Sequence, residues 1–183
     1  MEVSTMNTIG IQPVAKEEFD KLSIKVPYYR NRWEYYSVAQ RMVMVENPKS
    51  VLEIGASYPI FNGSETLGLP WDKRALIKHD IRIIPWPLED KQYDFVVALQ
   101  VWEYIGPQQE EAFQEVMRVS NRAVLSFPLG WKSCKPDDDH FNITEETISQ
   151  WTLGLNPIAR ELIGGRDKRL VLAFDFTKKD NKI

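Results

Sequence analysis

Two histidines and one cysteine leave few groups in this chain that titrate near neutral pH. His140 closes a run of three aspartates, Asp137, Asp138 and Asp139, in a polar loop after an apolar run. An imidazole placed there could take a proton from an oxygen or nitrogen acceptor, so His140 is the candidate general base; the alternative is that it ties down its own loop. The same four residues invite a metal reading, because carboxylates and imidazole suit divalent ions. Four adjacent side chains cannot all converge on one ion without an unusual turn, and no second ligand cluster stands out. A solvated acidic loop, with no metal, is the expectation. His79 precedes Asp80 and is read as structural, pointing to the opposite face of its strand. Glu53 and Gly55 end a short apolar run, where an acid either caps or pairs at the strand end or faces a ligand.

The elements that must position these residues alternate along the chain. Tyr28 to Glu46 lacks glycine and proline and carries many aromatic residues, which predicts a helix docked on a sheet and stopped by Asn47-Pro48. Arginine and aromatics alternate at its start, a pattern that could stack bases, but a docking helix that lids a ligand site is favoured, with Tyr28 or Trp33 as a contact. Ser50 to Gly55, Tyr93 to Leu99 and Ala123 to Phe127 are short, mainly apolar runs suited to buried parallel strands. Weaker runs lie at Thr66 to Leu69 and Ala75 to Asp80. Gly106-Pro107 opens a helix reaching about Val119, and Thr144 to Thr152 reads as another, capped by Thr144 or Asn142. Pro157 to Ile163 and Leu170 to Phe176 flank Gly164-Gly165, which is hairpin chemistry at a sheet edge. Helices alternating with buried strands predict an α/β domain with a mostly parallel sheet, helices on both faces and a C-terminal antiparallel hairpin. Residues 1–27 form an N-terminal extension and 28–183 a single domain on this reading. In such sheets ligands bind beyond the carboxyl ends of the strands.

Bulk properties narrow the function. At 183 residues, 43% hydrophobic and 27% charged, the chain is sized for one globular core. A net charge of -3 gives no general pull toward nucleic acid, and nucleic-acid binding is not expected. No run approaches the roughly 20 apolar residues of a membrane helix. The N-terminus has no signal-peptide pattern, and Cys134 alone can form neither an internal disulfide nor a cysteine-based zinc site. A cytoplasmic location is the expectation; oligomeric state is not readable.

The order of the motifs resembles class I S-adenosylmethionine-dependent methyltransferases, of the compact type 11-like kind. Val51-Leu52-Glu53-Ile54-Gly55 is similar to the family's first motif, a strand ending in acid-x-glycine. His79-Asp80-Ile81-Arg82, Pro85 to Asp90 and Tyr93 to Val97 resemble its third and fourth strand region. Leu99 to Ile105 resembles the segment that follows, and Arg169 to Phe174 the closing strands. The resemblance implies a Rossmann-like fold and S-adenosyl-L-methionine as cofactor. It implies that Glu53 and Gly55, with Ala56 and Ser57 in the turn, approach the methionine end. It also implies that Asp80 accepts a hydrogen bond from the adenine amino group, that Ile81 packs on the ring, and that Leu99 and Gln100 line the wall near the sulfonium.

Two departures stand beside it. Only Gly55 remains of the first motif's glycines, followed by Ala56-Ser57-Tyr58-Pro59, and the second-strand region is shortened. The acid expected at the end of the second strand has no match, Asp72 being at best a displaced substitute. Trp86, Trp102 and Trp131 follow strand ends and suggest an aromatic-walled acceptor pocket, with core or rim packing as the competing account. The expected function is methyl transfer to an oxygen or nitrogen of a small acceptor, such as a metabolite, sugar or lipid head group. The alternative is a methyltransferase-like scaffold that has lost catalysis.

Overall fold

The computed structural model describes residues 10–132, 142–165 and 167–178. Its strands and helices follow in chain order as β1 (Gln12–Pro13), α1 (Lys16–Lys25), α2 (Trp33–Met44), β2 (Val51–Ile54), β3 (Phe61–Asn62), β4 (Glu65–Gly68) and β5 (Ile77–Lys78). They continue with β6 (Tyr93–Leu99), α3 (Gln109–Val119), β7 (Ser120–Pro128), α4 (Glu145–Trp151), β8 (Ala159–Ile163) and β9 (Arg169–Asp175). Seven strands form one sheet in the order β5-β4-β2-β6-β7-β9-β8. The first five are parallel neighbours, and β9 runs antiparallel between β7 and β8.

The mainly apolar runs mark strands covered on both faces, and the period of two divides their side chains between two cores. Val96, Ala98, Leu125 and Leu172 pack with Phe113 and Val116 of α3 and Ile148 of α4. Phe95, Val97, Val124 and Val171 pack on the other side with Tyr35, Val38, Ala39 and Val43 of α2. Thr144 caps α4 by accepting from the Thr147 N–H.

The expected helix from Tyr28 begins later. Pro27–Tyr29 forms a 3-10 turn, and α2 starts at Trp33. That turn lets Tyr29 enter the core while Tyr28 stays exposed. β5 is also shorter than the apolar run at 75–80, because it pairs with β4 only at Ile77 and Lys78. Residues 10–26 join the α2 face: β1 pairs antiparallel with β3, and Phe19 packs on Trp33 and Tyr36 with ring centroids 5.2 and 5.5 Å away. Neither the segment from Gly55 to β4 nor that from β4 to β5 contains a helix.

The segment before β6 is anchored to α3 by one guanidinium. Arg118 donates to both Glu115 carboxylate oxygens at 2.8 and 2.7 Å, to Asp90 at 2.8 Å, and to the carbonyls of Leu88 and Trp86. Glu115, whose side chain is 8% exposed, accepts in turn from the Trp86 N–H at 2.6 Å. Arg118→Met leaves that carboxylate without its charge partner. A loss of about 2–3 kcal/mol in urea unfolding is expected.

Candidate ligand cleft at the strand ends

Beyond the carboxyl ends of β2, β4, β5 and β6 lies a cleft of about 320 Å³, where an open parallel sheet places its ligands. Ile54, Leu67, Ile81, Val101 and Ile105 form its apolar walls. Asp80, Arg82, His79 and Gln100 supply polar groups, and Tyr28 and Tyr104 stand in its lining. A narrower recess of about 50 Å³ adjoins it, sharing Tyr28, Ile54, Gly55 and Gln100. Glu53, Ala56, Leu99 and Arg32 line this recess with Tyr29, Tyr36 and Tyr58.

Glu53 builds the floor of the recess. Its carboxylate accepts from the Ile60 N–H at 2.9 Å, the Phe61 N–H at 3.0 Å and the Ser64 hydroxyl at 2.7 Å. One buried acid thereby folds the segment after Gly55 back onto the sheet. Burial pushes its pKa up to about 7, against the opposing pull of these three donors. Gly55 has φ of +69°, and a Cβ there would stand 2.9 Å from Val101 Cγ2. Its N–H donates to the Leu67 carbonyl at 2.8 Å, extending the β2–β4 pairing to the cleft edge.

Asp80 sits in a turn after β5, where Arg82 grips its carboxylate through Nε and Nη2 and the Arg82 N–H adds a third bond. These bonds hold the Asp80 pKa below the ordinary carboxylate range, so it is an anionic acceptor at neutral pH. Ile81 lies beside it in the wall, buried, and its carbonyl accepts from the Trp86 indole at 2.9 Å.

Gln100 carries the least ordinary geometry in the cleft. Its φ is +57°, a region non-glycine residues seldom adopt, and its N–H is held by the Ser126 carbonyl and hydroxyl. Gln100 is only 8% exposed, and among the described residues its side-chain Nε2 has no hydrogen-bond partner. A buried donor left unpaired beside a cleft is the arrangement a ligand acceptor completes.

The sequence-predicted residues are thus distributed unevenly. Gly55, Asp80, Ile81 and Gln100 line the main cleft; Glu53, Ala56 and Leu99 line the recess. Ser57 lines neither, and its hydroxyl instead bonds Asp72 at 3.2 Å. Asp72 is further used by the Arg74 N–H, so Gly68 and Leu69 form the cleft wall at the end of β4. His140 lies outside the described residues, as do Asp137, Asp138 and Asp139. His79 does not turn away from the cleft: its ring Nε2 lies 2.8 Å from the Ile83 carbonyl, and the residue lines the same wall as Asp80.

Trp86 and Trp102 are buried in the core, each indole N–H donating to a backbone carbonyl, and they form no wall of the cleft. Trp33 packs on Phe19, leaving Tyr28 as the aromatic contact. Arg32 was not anticipated as a ligand group. It stands in the recess with its guanidinium 3.6 Å over the Tyr28 ring and bonded to the Tyr35 hydroxyl. The signal for it was the i, i+4 spacing of Tyr28 and Arg32. Burial raises the pKa of Tyr29 and Tyr36, which keeps both phenols neutral at physiological pH. Among the described residues no group of three or more His, Cys, Asp or Glu side chains could hold a metal. Nor is any described helix long and apolar enough to cross a membrane.

Known proteins resemble this chain in one sequence segment and in fold. A family profile described as a methyltransferase domain matches residues 68–123. The N-methyltransferase NodS from Bradyrhizobium japonicum WM9, solved with S-adenosyl-L-homocysteine, superposes with a TM-score of 0.62 at 16% identity, covering 88% of this chain and 98% of that one. A protein from Pyrococcus horikoshii OT3 gives 0.59 at 15% identity over 88% and 99% of the two chains. A putative sarcosine dimethylglycine methyltransferase from Galdieria sulphuraria gives 0.52 at 17% identity over 82% and 70%. A search of curated proteins returns no match. The chain has the fold of these methyltransferases, and residues 68–123 are similar to the methyltransferase-domain family.

Two outcomes follow from the strand-end geometry. Gly55→Ala is expected to lower unfolding free energy by about 1–3 kcal/mol, from positive φ and the contact with Val101. The second concerns Glu53, whose folded pKa lies above the ordinary 4.5. The unfolded chain therefore releases this proton first. Stability falls as pH rises through that window and levels off above about 7, by an amount on the order of 3 kcal/mol. Urea unfolding at pH 5 and pH 8 checks this, with the slope flattened in Glu53→Gln.

Proposed function

We propose that the cleft binds S-adenosyl-L-methionine and that the protein transfers its methyl group to an oxygen or nitrogen of a small acceptor. The unpaired Nε2 of Gln100, buried between an apolar slot and a polar recess, carries this reading. A purine ring suits the slot between Ile54, Leu67, Ile81 and Val101, with the Asp80 carboxylate as acceptor for its amino group. The methionine end suits the recess, where Arg32 offers a cation for the carboxylate and Gly55 allows close backbone approach. Leu69 lines the cleft at the end of β4, where the family resemblance leads one to expect an acid.

When bound, the cofactor supplies a methyl group already activated for displacement. What this chain adds is alignment and dryness. Apolar walls at Val101 and Ile105 exclude water, and Tyr28 and Tyr104 border the path by which an acceptor enters. His140 is proposed as the base that takes the acceptor's proton, on the chemistry of imidazole. Loss of turnover in His140→Ala, with cofactor affinity retained, is the expected result once an acceptor is in hand. Full turnover in that variant removes His140 from the reaction.

The missing acid at the end of β4 favours one other reading, a scaffold that keeps the fold without catalysis. Calorimetric titration with S-adenosylhomocysteine separates the two, since a scaffold has no need of the ligand. Under the methyl-transfer reading wild type binds, and Asp80→Ala weakens binding by about tenfold or more through loss of a charge-assisted hydrogen bond. Arg32→Ala is expected to weaken it comparably. Undiminished affinity in Asp80→Ala takes that residue out of the site.

A further inference from the structure

Among the described residues, four of the ten exposed large apolar side chains fall within residues 71–84: Trp71, Leu76, Ile83 and Ile84. Trp71 and Leu76 are each 71% exposed and Ile83 61%, on the loops that flank the edge strand β5. The same segment holds Lys73, Arg74, Lys78 and Arg82. Its two acids do not cancel these charges: Asp80 pairs with Arg82, and Asp72, bonded to Ser57 and the Arg74 N–H, leaves Lys73, Arg74 and Lys78 in excess. A chain with net charge -3 therefore presents a basic, apolar edge beside its cleft. Lysines alone could serve to guard an edge strand against pairing. Exposed tryptophan, leucine and isoleucine do the opposite, and they need a covering.

We propose that this edge docks on an anionic membrane surface. Basic side chains are drawn to acidic head groups, while tryptophan and short apolar side chains enter the interface between head groups and acyl chains. Overall negative charge opposes approach to an acidic surface, and the local excess of cations at this edge offsets it there. Leu69 and Arg82 belong to the cleft wall, so docking brings the cleft close to the lipid surface. On the methyl-transfer reading, that selects a lipid head group from among the possible small acceptors.

Co-sedimentation with phosphatidylcholine vesicles, with and without phosphatidylglycerol, tests the docking without cofactor. Its failure and failure of the methyl-transfer reading are thus separate results. Wild type is expected to pellet with the phosphatidylglycerol vesicles, to remain in solution with phosphatidylcholine alone, and to be released by salt. Lys73→Glu/Lys78→Glu is expected to lower partitioning at least about tenfold. Trp71→Ser/Ile83→Ser is expected to lower it as well, with both variants keeping the wild-type melting temperature because these side chains are exposed. Absence of binding at low salt, or equal partitioning of wild type and both variants, overturns the proposal. So does a concentration-dependent dimer, abolished by Trp71→Ser, which would mean that a second copy covers the edge.

Discussion

A single buried carboxylate sets the shape of the cleft. Glu53 points from β2 into the protein and collects three donors from residues 60–64. Without a helix between β2 and β4, the intervening chain has few backbone partners of its own, and this acid supplies them. The same segment is pinned from its other side. Gln40 on α2 donates to the carbonyls of both Ile60 and Val14, and β1 pairs with β3. The chain around residue 60 is thereby held against the α2 face, and the strand ends stay open.

Division of the sheet between two cores assigns the cleft its parts. The α2 face is aromatic, and its entry turn delivers Tyr28 and Arg32 to the recess while burying Tyr29. The α3 face holds the segment after β5 through Arg118 and Glu115, and Trp86 plugs that segment into the core by bonding the Ile81 carbonyl. Ile81 is thus presented to the cleft from a turn fixed on its inner side. Gly55 and Gln100, both at positive φ, mark the two strand ends where the backbone itself must bend around the cleft.

Much of this fold is legible in the sequence. Val51–Ile54 and Tyr93–Leu99 are strands buried on both faces, and mainly apolar runs of that length announce themselves. The hairpin of β8 and β9 follows from its glycines and its apolar flanks. Less was visible where long-range contacts decide. Nothing local in Gly55 to Ser64 reveals that its N–H groups close on an acid seven or eight residues earlier. Asp72 was a plausible ligand group by position, yet it serves Ser57 and the Arg74 N–H. Trp86 and Trp102 follow strand ends in the sequence but find carbonyl partners inside the core, a choice only packing makes. Arg32 lies within the run predicted as helix, whereas the helix starts at Trp33 and Arg32, just before it, lines the recess.

Thermal unfolding with and without S-adenosylmethionine or S-adenosylhomocysteine tests the central claim most directly. Ligand at about 100 times its dissociation constant adds roughly 2.7 kcal/mol to stability. For a domain of this size, the account predicts a rise in melting temperature on the order of 5–10 °C with either compound. No shift at millimolar ligand would contradict it, meaning that the cleft between β2, β5 and β6 has lost the cofactor and that the fold serves another end.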